Sequence, residues 1–355
     1  MRRRLADWER SARARLDPAA TDFFAAGSGS ERSLAAAVEA WDDWCFAPRV
    51  LTDVSVVDTT LELFGRRLHS PVAVAPVAFH ALAHEEGELA SAAGAAQAGA
   101  LYVMATRATR RIEEVAARLP EWWFQVYVLN DRGLTGALVD RAVSAGARAL
   151  VLTGDTPIVG PKPRSAGPIP LSDEDYLVNL GLELAESATP RGRDATAQDP
   201  ATTEESIGWL AERSGLPVLV KGVLRADDAE RCLSAGAAGV VVSNHGGRQL
   251  DGALAPAHAL EEVSAAVDGR GPVLVDGGVR DGRSVLKAIC LGADAVMVGR
   301  PAIWALAAGG EAGVAQLLEG LRLELAEAMA LAGARRLAEC DRSLVRFDPG
   351  KGGRR

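Results

Sequence analysis

The chain has 355 residues, 48% of them apolar and 24% charged, with a formal net charge of -8. Such a composition supplies a sizeable core and argues against intrinsic disorder. The acidic balance excludes the broad cationic face on which nucleic-acid affinity depends, so no nucleic-acid partner is expected.

The opening run MRRRLADWERSARARL is Arg-rich, but Asp7 and Glu9 interrupt its charge and no apolar segment follows, so it reads as a surface helix rather than a targeting signal. Residues 1–70 hold two helical patterns and are expected to cover one end of the fold, with GSGS at 27–30 as a loop. From residue 71 onward, eight short runs follow at intervals: PVAVAP (71–76), LYVMAT (101–106), WWFQVYV (122–128), ALVLTGD (149–155), PVLVKG (217–222), GVVVSNHG (239–246), PVLVDGG (272–278) and AVMVGRP (295–301). Each is almost continuously apolar, as a parallel strand covered on both faces must be. Between them lie helical patterns such as ELASAAGAAQAGA, GALVDRAVSAGA and DGRSVLKAICLGA, several with a glycine near the C-terminal end. Alternating strands and helices in this number predict an α/β fold, a (β/α)8 barrel over residues 71–340. A doubly wound sheet is disfavoured, because no GxGxxG follows the first strand.

Residues 156–203, after the fourth strand, are rich in Pro, Gly, Ser and charge and exceed a passive connection, which predicts a lid; residues 341–355 read as a C-terminal tail. No stretch reaches the roughly 18 apolar residues of a membrane span. The four cysteines, Cys45, Cys232, Cys290 and Cys340, are scattered and form no CxxC, so neither a metal site nor a disulfide framework is expected, and a reducing cytoplasm fits. The pair His80 and His84 has helical metal spacing but no accompanying acidic or histidine cluster, and is expected to be structural.

Barrel active sites lie at the C-terminal strand ends. There the sequence puts Gln125 and Tyr127 (third strand), Thr153 and Asp155 (fourth), Lys221 (fifth), Ser243, Asn244, His245 and Arg248 (sixth), Asp276 and Arg280 (seventh), and Gly299 with Arg300 (eighth). In DGGVR and VGRP, glycines let backbone N–H groups approach an anion that arginines neutralise, which predicts a phosphate. Lys221 ends an apolar strand and needs an anionic or electron-rich partner, such as a reduced flavin ring. His245 can exchange a proton near neutral pH, and Arg248 offers the fork that grips a carboxylate. Asp155, expected across the barrel, would orient the imidazole and stabilise its charged form.

The segments APVAFHALAHEEGE, LPVLVKG, SNHGGRQLDG, VDGGVR and GADAVMVGRP together resemble the FMN-dependent 2-hydroxy acid oxidases and dehydrogenases, the family of glycolate oxidase, lactate oxidase, mandelate dehydrogenase and hydroxymandelate oxidase. The likeness runs from about Asp22 to about Leu337 and lapses in the lid. It implies an FMN cofactor, a small 2-hydroxy acid substrate, oxygen or another electron acceptor, and a homotetramer. It also implies roles: His245 as base with Asp155 as its partner, Arg248 on the substrate carboxylate, and Tyr127 touching substrate and flavin. Pro76, Val77, Ala78, Gln125, Thr153, Lys221 and Ser243 would cradle the flavin and ribityl, with Lys221 beside N1 and O2. Asp276, Gly277, Gly278, Arg280, Gly299 and Arg300 would hold the ribityl and phosphate end.

The departures bear on substrate. Phe23 stands where many members have a substrate-binding tyrosine, Arg107 where a pocket tryptophan is usual, and Ala105 and Val77 where hydroxyl residues are usual. The family's paired arginines after Asp155 are Pro161 and Lys162. An arginine at 107 predicts a second anionic or strongly polar group on the substrate, unless its side chain simply points to solvent. The alternative function is oxidation or isomerisation of a different biosynthetic intermediate in a remodelled pocket.

Overall fold

The structure, a computed structural model, describes residues 5–164, 167–180 and 194–348. Three helices open it, α1 (Leu5–Arg13), α2 (Pro18–Ala25) and α3 (Arg32–Glu39), one more than the two patterns expected. The amphipathic α1 buries Trp8 and Ala12 and leaves Arg10 in solvent. At the start of α2, Pro18 fills the first turn and the Asp17 carboxylate accepts the Ala19 N–H at 2.7 Å, so the short helix is capped by its own sequence. Strand β1 (Trp44–Phe46) and a hairpin of β2 (Leu61–Leu63) and β3 (Arg66–Leu68) follow.

The barrel then runs β4 (Val72–Val74), α4 (Glu88–Gln97), β5 (Tyr102–Met104), α5 (Ile112–Ala116), β6 (Trp122–Val126), α6 (Arg132–Ser144) and β7 (Leu150–Thr153). The segment expected as a lid contributes a short α7 (Asp173–Leu177), capped by the Ser172 hydroxyl; its residues 165–166 and 181–193 lie outside the described chain. After it come α8 (Glu205–Ser214), β8 (Val218–Val223), α9 (Ala226–Ser234), β9 (Gly239–Val242), α10 (Pro256–Val267), β10 (Val273–Asp276), α11 (Gly282–Cys290), β11 (Ala295–Val298) and α12 (Arg300–Ala332). The eight strands β4 to β11 pair in parallel in chain order and close, β11 meeting β4, so the expected (β/α)8 barrel is the observed one.

Alternation along the strands divides the core in two. Residues facing outward, such as Val74, Met104 and Phe124, pack under the helices. Those facing inward, among them Leu101, Val103, Trp123, Val151, Leu219, Leu274 and Met297, fill the barrel axis. Leu61, Leu63 and Leu68 of the hairpin join this inner cluster, and Phe64 at its turn packs on Trp123 with centroids 5.6 Å apart. The hairpin therefore stoppers the N-terminal end, and the strand ends opposite are left for chemistry.

The N-terminal extension reaches both ends of the barrel rather than one, because α2 and α3 pass to the C-terminal side. Gly278, after β10, has φ +78, and a Cβ there would lie 1.7 Å from the Ala37 carbonyl oxygen, so α3 sits directly on the loop that follows the seventh barrel strand. Trp41 Nε1 fastens the same contact by donating to the Gly277 carbonyl at 3.0 Å. Residues 341–348, expected as part of a tail, instead bury Leu344 and supply β12 (Val345–Phe347), which pairs antiparallel with β1.

Candidate active site

At the C-terminal ends of the strands lies a cavity of about 470 Å3. It gathers Pro76, Val77 and Ala78 after β4, Gln125 and Tyr127 at β6, Thr153 of β7, Lys221 of β8, His245 and Arg248 after β9, Asp276, Gly277, Gly278 and Arg280 at β10, and Gly299 with Arg300 after β11. Phe23 of α2, Arg107 and Lys162 also line it. Three expected members do not: Asn244 is buried, its Oδ1 accepting the Gly247 N–H at 3.2 Å, and Ser243 and Asp155 lie outside the lining too. Ser243 is fully buried behind the cavity, where its hydroxyl accepts from Lys221 Nζ at 2.9 Å and from the His245 N–H at 3.0 Å. Asp155 stands behind His245.

His245 has a left-handed backbone, φ 56, a costly conformation for a residue with a side chain and one that recurs at functional sites. Its Nδ1 lies 2.9 Å from Asp155 Oδ1. Since the carboxylate can only accept, Nδ1 carries the proton and Nε2 is the nitrogen left for the cavity. The two residues are not across the barrel from one another, as expected, but in the loops just after β7 and β9, with β8 alone between those strands. A bulge in β8 makes the approach possible: pairing with β9 slips between Lys221 and Val223, and at Gly222 (φ +107) a Cβ would come within 2.5 Å of the Asp155 Cβ. Burial alone would raise the Asp155 pKa, but the charge and hydrogen bond of His245, aided by Lys221, hold it below the ordinary carboxylate range. Thr156 Oγ1 closes the group, 3.2 Å from Asp155 Oδ1 and 3.3 Å from His245 Nδ1.

Lys221 is buried and finds its anion within the protein: Asp276 Oδ2 is 3.1 Å from Nζ. Burial opposes the lysine's charge, yet Asp276 and Asp155 outweigh it and raise its pKa. Burial first, and then the charge of Asp155, raises the pKa of Tyr127, which keeps the phenol protonated as a donor. Arg248 Nη1 donates to the carbonyls of Phe23 at 2.7 Å and Ala26 at 2.9 Å, and its guanidinium carbon sits 5.2 Å from the Phe23 ring centroid. Desolvation brings its pKa down to about 10, so it remains charged at neutral pH. Beside it, burial and the Arg248 charge lower Lys162 to about 8. Arg107 does not point freely to solvent: it stacks over Tyr176 at 5.2 Å and donates through Nη2 to the Thr196 carbonyl.

At the other end, Arg300 reaches the carbonyls of Phe24 (2.9 Å), Gly246 (2.8 Å) and Ala26 (3.1 Å). Desolvation, with repulsion from Arg248 and Arg280, pushes its pKa down to about 9; desolvation lowers Arg280 likewise. Two desolvated guanidiniums at one end of the cavity, one of them further lowered by its neighbours' charge, are stabilised by a shared anion. The start of α12 at Arg300 adds backbone N–H groups to the same end. An FMN would fit this set of donors: Arg280, Arg300 and the glycine loops would hold its phosphate, and Lys221, Gln125 and Ala75 to Ala78 would lie along its ring. Asp276 Oδ1, buried with no hydrogen-bond partner among the described residues, is an acceptor suited to a ribityl hydroxyl.

Several lining or supporting residues were not anticipated: Thr156, Phe79, Tyr176, Gln198 and Gln249. Gln249 ties two loops together, donating to the carbonyls of Asp155 (2.9 Å) and Ile158 (2.8 Å) and accepting from the Gly160 N–H (3.0 Å). Thr156, Phe79 and Gln249 adjoin Asp155, Ala78 and Arg248 in sequence and were within reach of the same argument; Tyr176 and Gln198 come from the segment after β7 and carry no local signal. His80 is buried with Nδ1 on Ser91 Oγ at 2.7 Å, while His84 Nδ1 accepts the Glu86 N–H at 3.2 Å. Among the described residues no helix is long and apolar enough to cross a membrane.

Known proteins share this sequence and fold. The profile of the FMN-dependent dehydrogenase family matches residues 12–347. The chain is 46% identical to a 4-hydroxymandelate oxidase of Amycolatopsis orientalis, over 93% of this chain and 94% of that protein. It is 41% identical to an L-lactate oxidase of Nostoc sp., over 96% and 97% respectively. Among solved structures, mandelate oxidase with (S)-4-hydroxymandelic acid superposes with a TM-score of 0.89 at 44% identity, covering 97% of this chain and 99% of that one. With the donor set, the closed barrel and the matching profile in agreement, the chain belongs to the FMN-dependent dehydrogenase family and is an FMN-dependent oxidoreductase.

Proposed function

We propose that this enzyme oxidises a 2-hydroxy acid to the corresponding 2-keto acid, with His245 as base, Arg248 as carboxylate anchor and dioxygen as terminal acceptor. The observation that carries the reading is His245, oriented by Asp155 at 2.9 Å, facing the same cavity as the half-buried Arg248. The relatives cited above are named as oxidases of lactate and hydroxymandelate, which supports both the substrate class and the acceptor.

Arg248 fixes the substrate carboxylate by charge-assisted hydrogen bonds, with Lys162 as a second cation close by. Tyr127, held protonated, donates to an oxygen of the bound acid. His245 Nε2 takes a proton from the substrate, and the imidazolium so formed is stabilised by Asp155. When bound, FMN would supply the two-electron acceptor, and its reoxidation by dioxygen would return the two electrons and two protons lost by the substrate as hydrogen peroxide. Lys221, paired with Asp276, keeps positive charge at the cofactor face of the cavity. A homotetramer and a cytoplasmic location belong to the same proposal, the first supported by the family likeness and the second by four free cysteines; light scattering and cell fractionation check them.

The test is anaerobic mixing of the FMN-loaded enzyme with a panel of 2-hydroxy acids, followed by admission of air. Bleaching of the flavin by a hydroxy acid, with peroxide on aeration, is expected. His245→Gln should slow bleaching by about 100- to 10,000-fold, the usual worth of a general base. A full-rate His245→Gln enzyme, or no bleaching by any hydroxy acid, refutes the reading.

A further inference from the structure

The cations at the substrate end of the cavity exceed what one carboxylate requires. Arg248 serves the carboxylate next to the reacting carbon, and Lys162 is near enough to feel its charge. Arg107 is held elsewhere, on the Tyr176 ring and the Thr196 carbonyl. Its Nη1 is buried and has no hydrogen-bond partner among the described residues. Nor does any carboxylate among the described residues form an ion pair with it. A buried guanidinium donor left unmatched is destabilising, and an acceptor carried in by a ligand relieves it.

Between the two arginines the wall is aromatic and continuous. Arg248 lies over Phe23 at 5.2 Å, Phe23 packs on Phe79 at 5.6 Å, Phe79 on Tyr176 at 5.6 Å, and Tyr176 carries Arg107 at 5.2 Å. All five side chains line the cavity. In order, the wall reads cation, three rings, cation. A hydroxy acid anchored on Arg248 with its side chain along the rings would carry the far end of that side chain towards Arg107.

We propose that the substrate is a dianionic 2-hydroxy acid: an aryl or other flat apolar spacer lies along Phe23, Phe79 and Tyr176, and a second carboxylate is bound by Arg107. This rests on the 2-hydroxy acid reading above and adds the side chain to it. A one- or two-carbon side chain cannot span the rings, and a neutral aryl group desolvates Arg107 without supplying an acceptor.

Matched probes separate the effects. With the FMN-loaded enzyme, 4-carboxymandelate and 4-(carboxymethyl)mandelate are each compared with the methyl ester of the distal acid, and with mandelate, by kcat/KM. Binding of the corresponding 2-keto acids is followed by calorimetry. For at least one pair the diacid should exceed its ester by tenfold or more in both measurements. That ratio should collapse towards one in Arg107→Met and be partly kept in Arg107→Lys. Native ratios near one for both pairs, or a ratio that survives Arg107→Met, overturn the proposal. Should Arg107→Met fail to fold, the native ratios and Arg107→Lys decide. If mandelate and the esters react well while the diacids gain nothing, this inference alone fails. If no hydroxy acid reacts, the parent reading fails and takes this one with it.

Discussion

Lys162 shows how much turns on a single side chain. It stands where the family resemblance puts an arginine, and burial together with Arg248 lowers its pKa to about 8. An arginine there would stay charged across the working range. The lysine is cationic below about pH 8 and neutral above it, and a substrate carboxylate binds the cationic form. Since kcat/KM reports the free enzyme, it should fall as pH rises through about 8, and Lys162→Arg should move that limb upward. A pH profile at constant ionic strength checks this; a flat native profile up to pH 9.5 would contradict it. Lys162 was marked only by the family resemblance, whereas Gln125, Thr153, Lys221 and Asp276 were legible because they sit on strand ends whose direction is fixed by the barrel. Tyr176 was not, since nothing local marks a ring that reaches the cavity from the segment after β7. The partnering of Lys221 with Asp276 escaped as well: both were picked out, but a pair formed between the fifth and seventh strands appears only after closure.

The elements were read with uneven success, for a physical reason. All eight barrel strands were legible because parallel strands buried on both faces are continuous apolar runs. The hairpin β2–β3 and the β1–β12 pair, each of three-residue strands, are too short to show an alternating pattern. Their order comes from what they cover, which is tertiary information. The seat of α3 on the loop after β10 is likewise invisible except as a glycine pair. Gly278→Ala would force a methyl against the Ala37 carbonyl at φ +78 and should cost about 2–4 kcal/mol, from overpacking and an unfavourable backbone. Because Gly277 and Arg280 move with that loop, the variant should also release FMN more readily. Thermal unfolding and dialysis against flavin-free buffer measure the two effects.

At the scale of the whole molecule, the closed barrel separates stability from chemistry. The β1–β12 seam and the leucine stopper lie away from the cavity. Leu344→Ala, at a fully buried position beside that seam, should lower stability by about 2–5 kcal/mol while leaving the bound-flavin spectrum and kcat unchanged. Denaturant melts beside steady-state assays test it, and an altered flavin spectrum would show that the two regions are coupled. The cavity, in contrast, draws on the full length of the chain. Arg248 and Arg300 both hang on the backbone carbonyls between Phe23 and Ala26, at the end of α2. Phe24 and Arg300 are 276 positions apart. A ribosome adding roughly 5–20 residues per second makes those carbonyls some tens of seconds before it makes the arginine that needs them. With Arg300 as a phosphate ligand, the donor set is complete only after the eighth barrel strand has been made, so a chain truncated before Arg300 should purify without flavin.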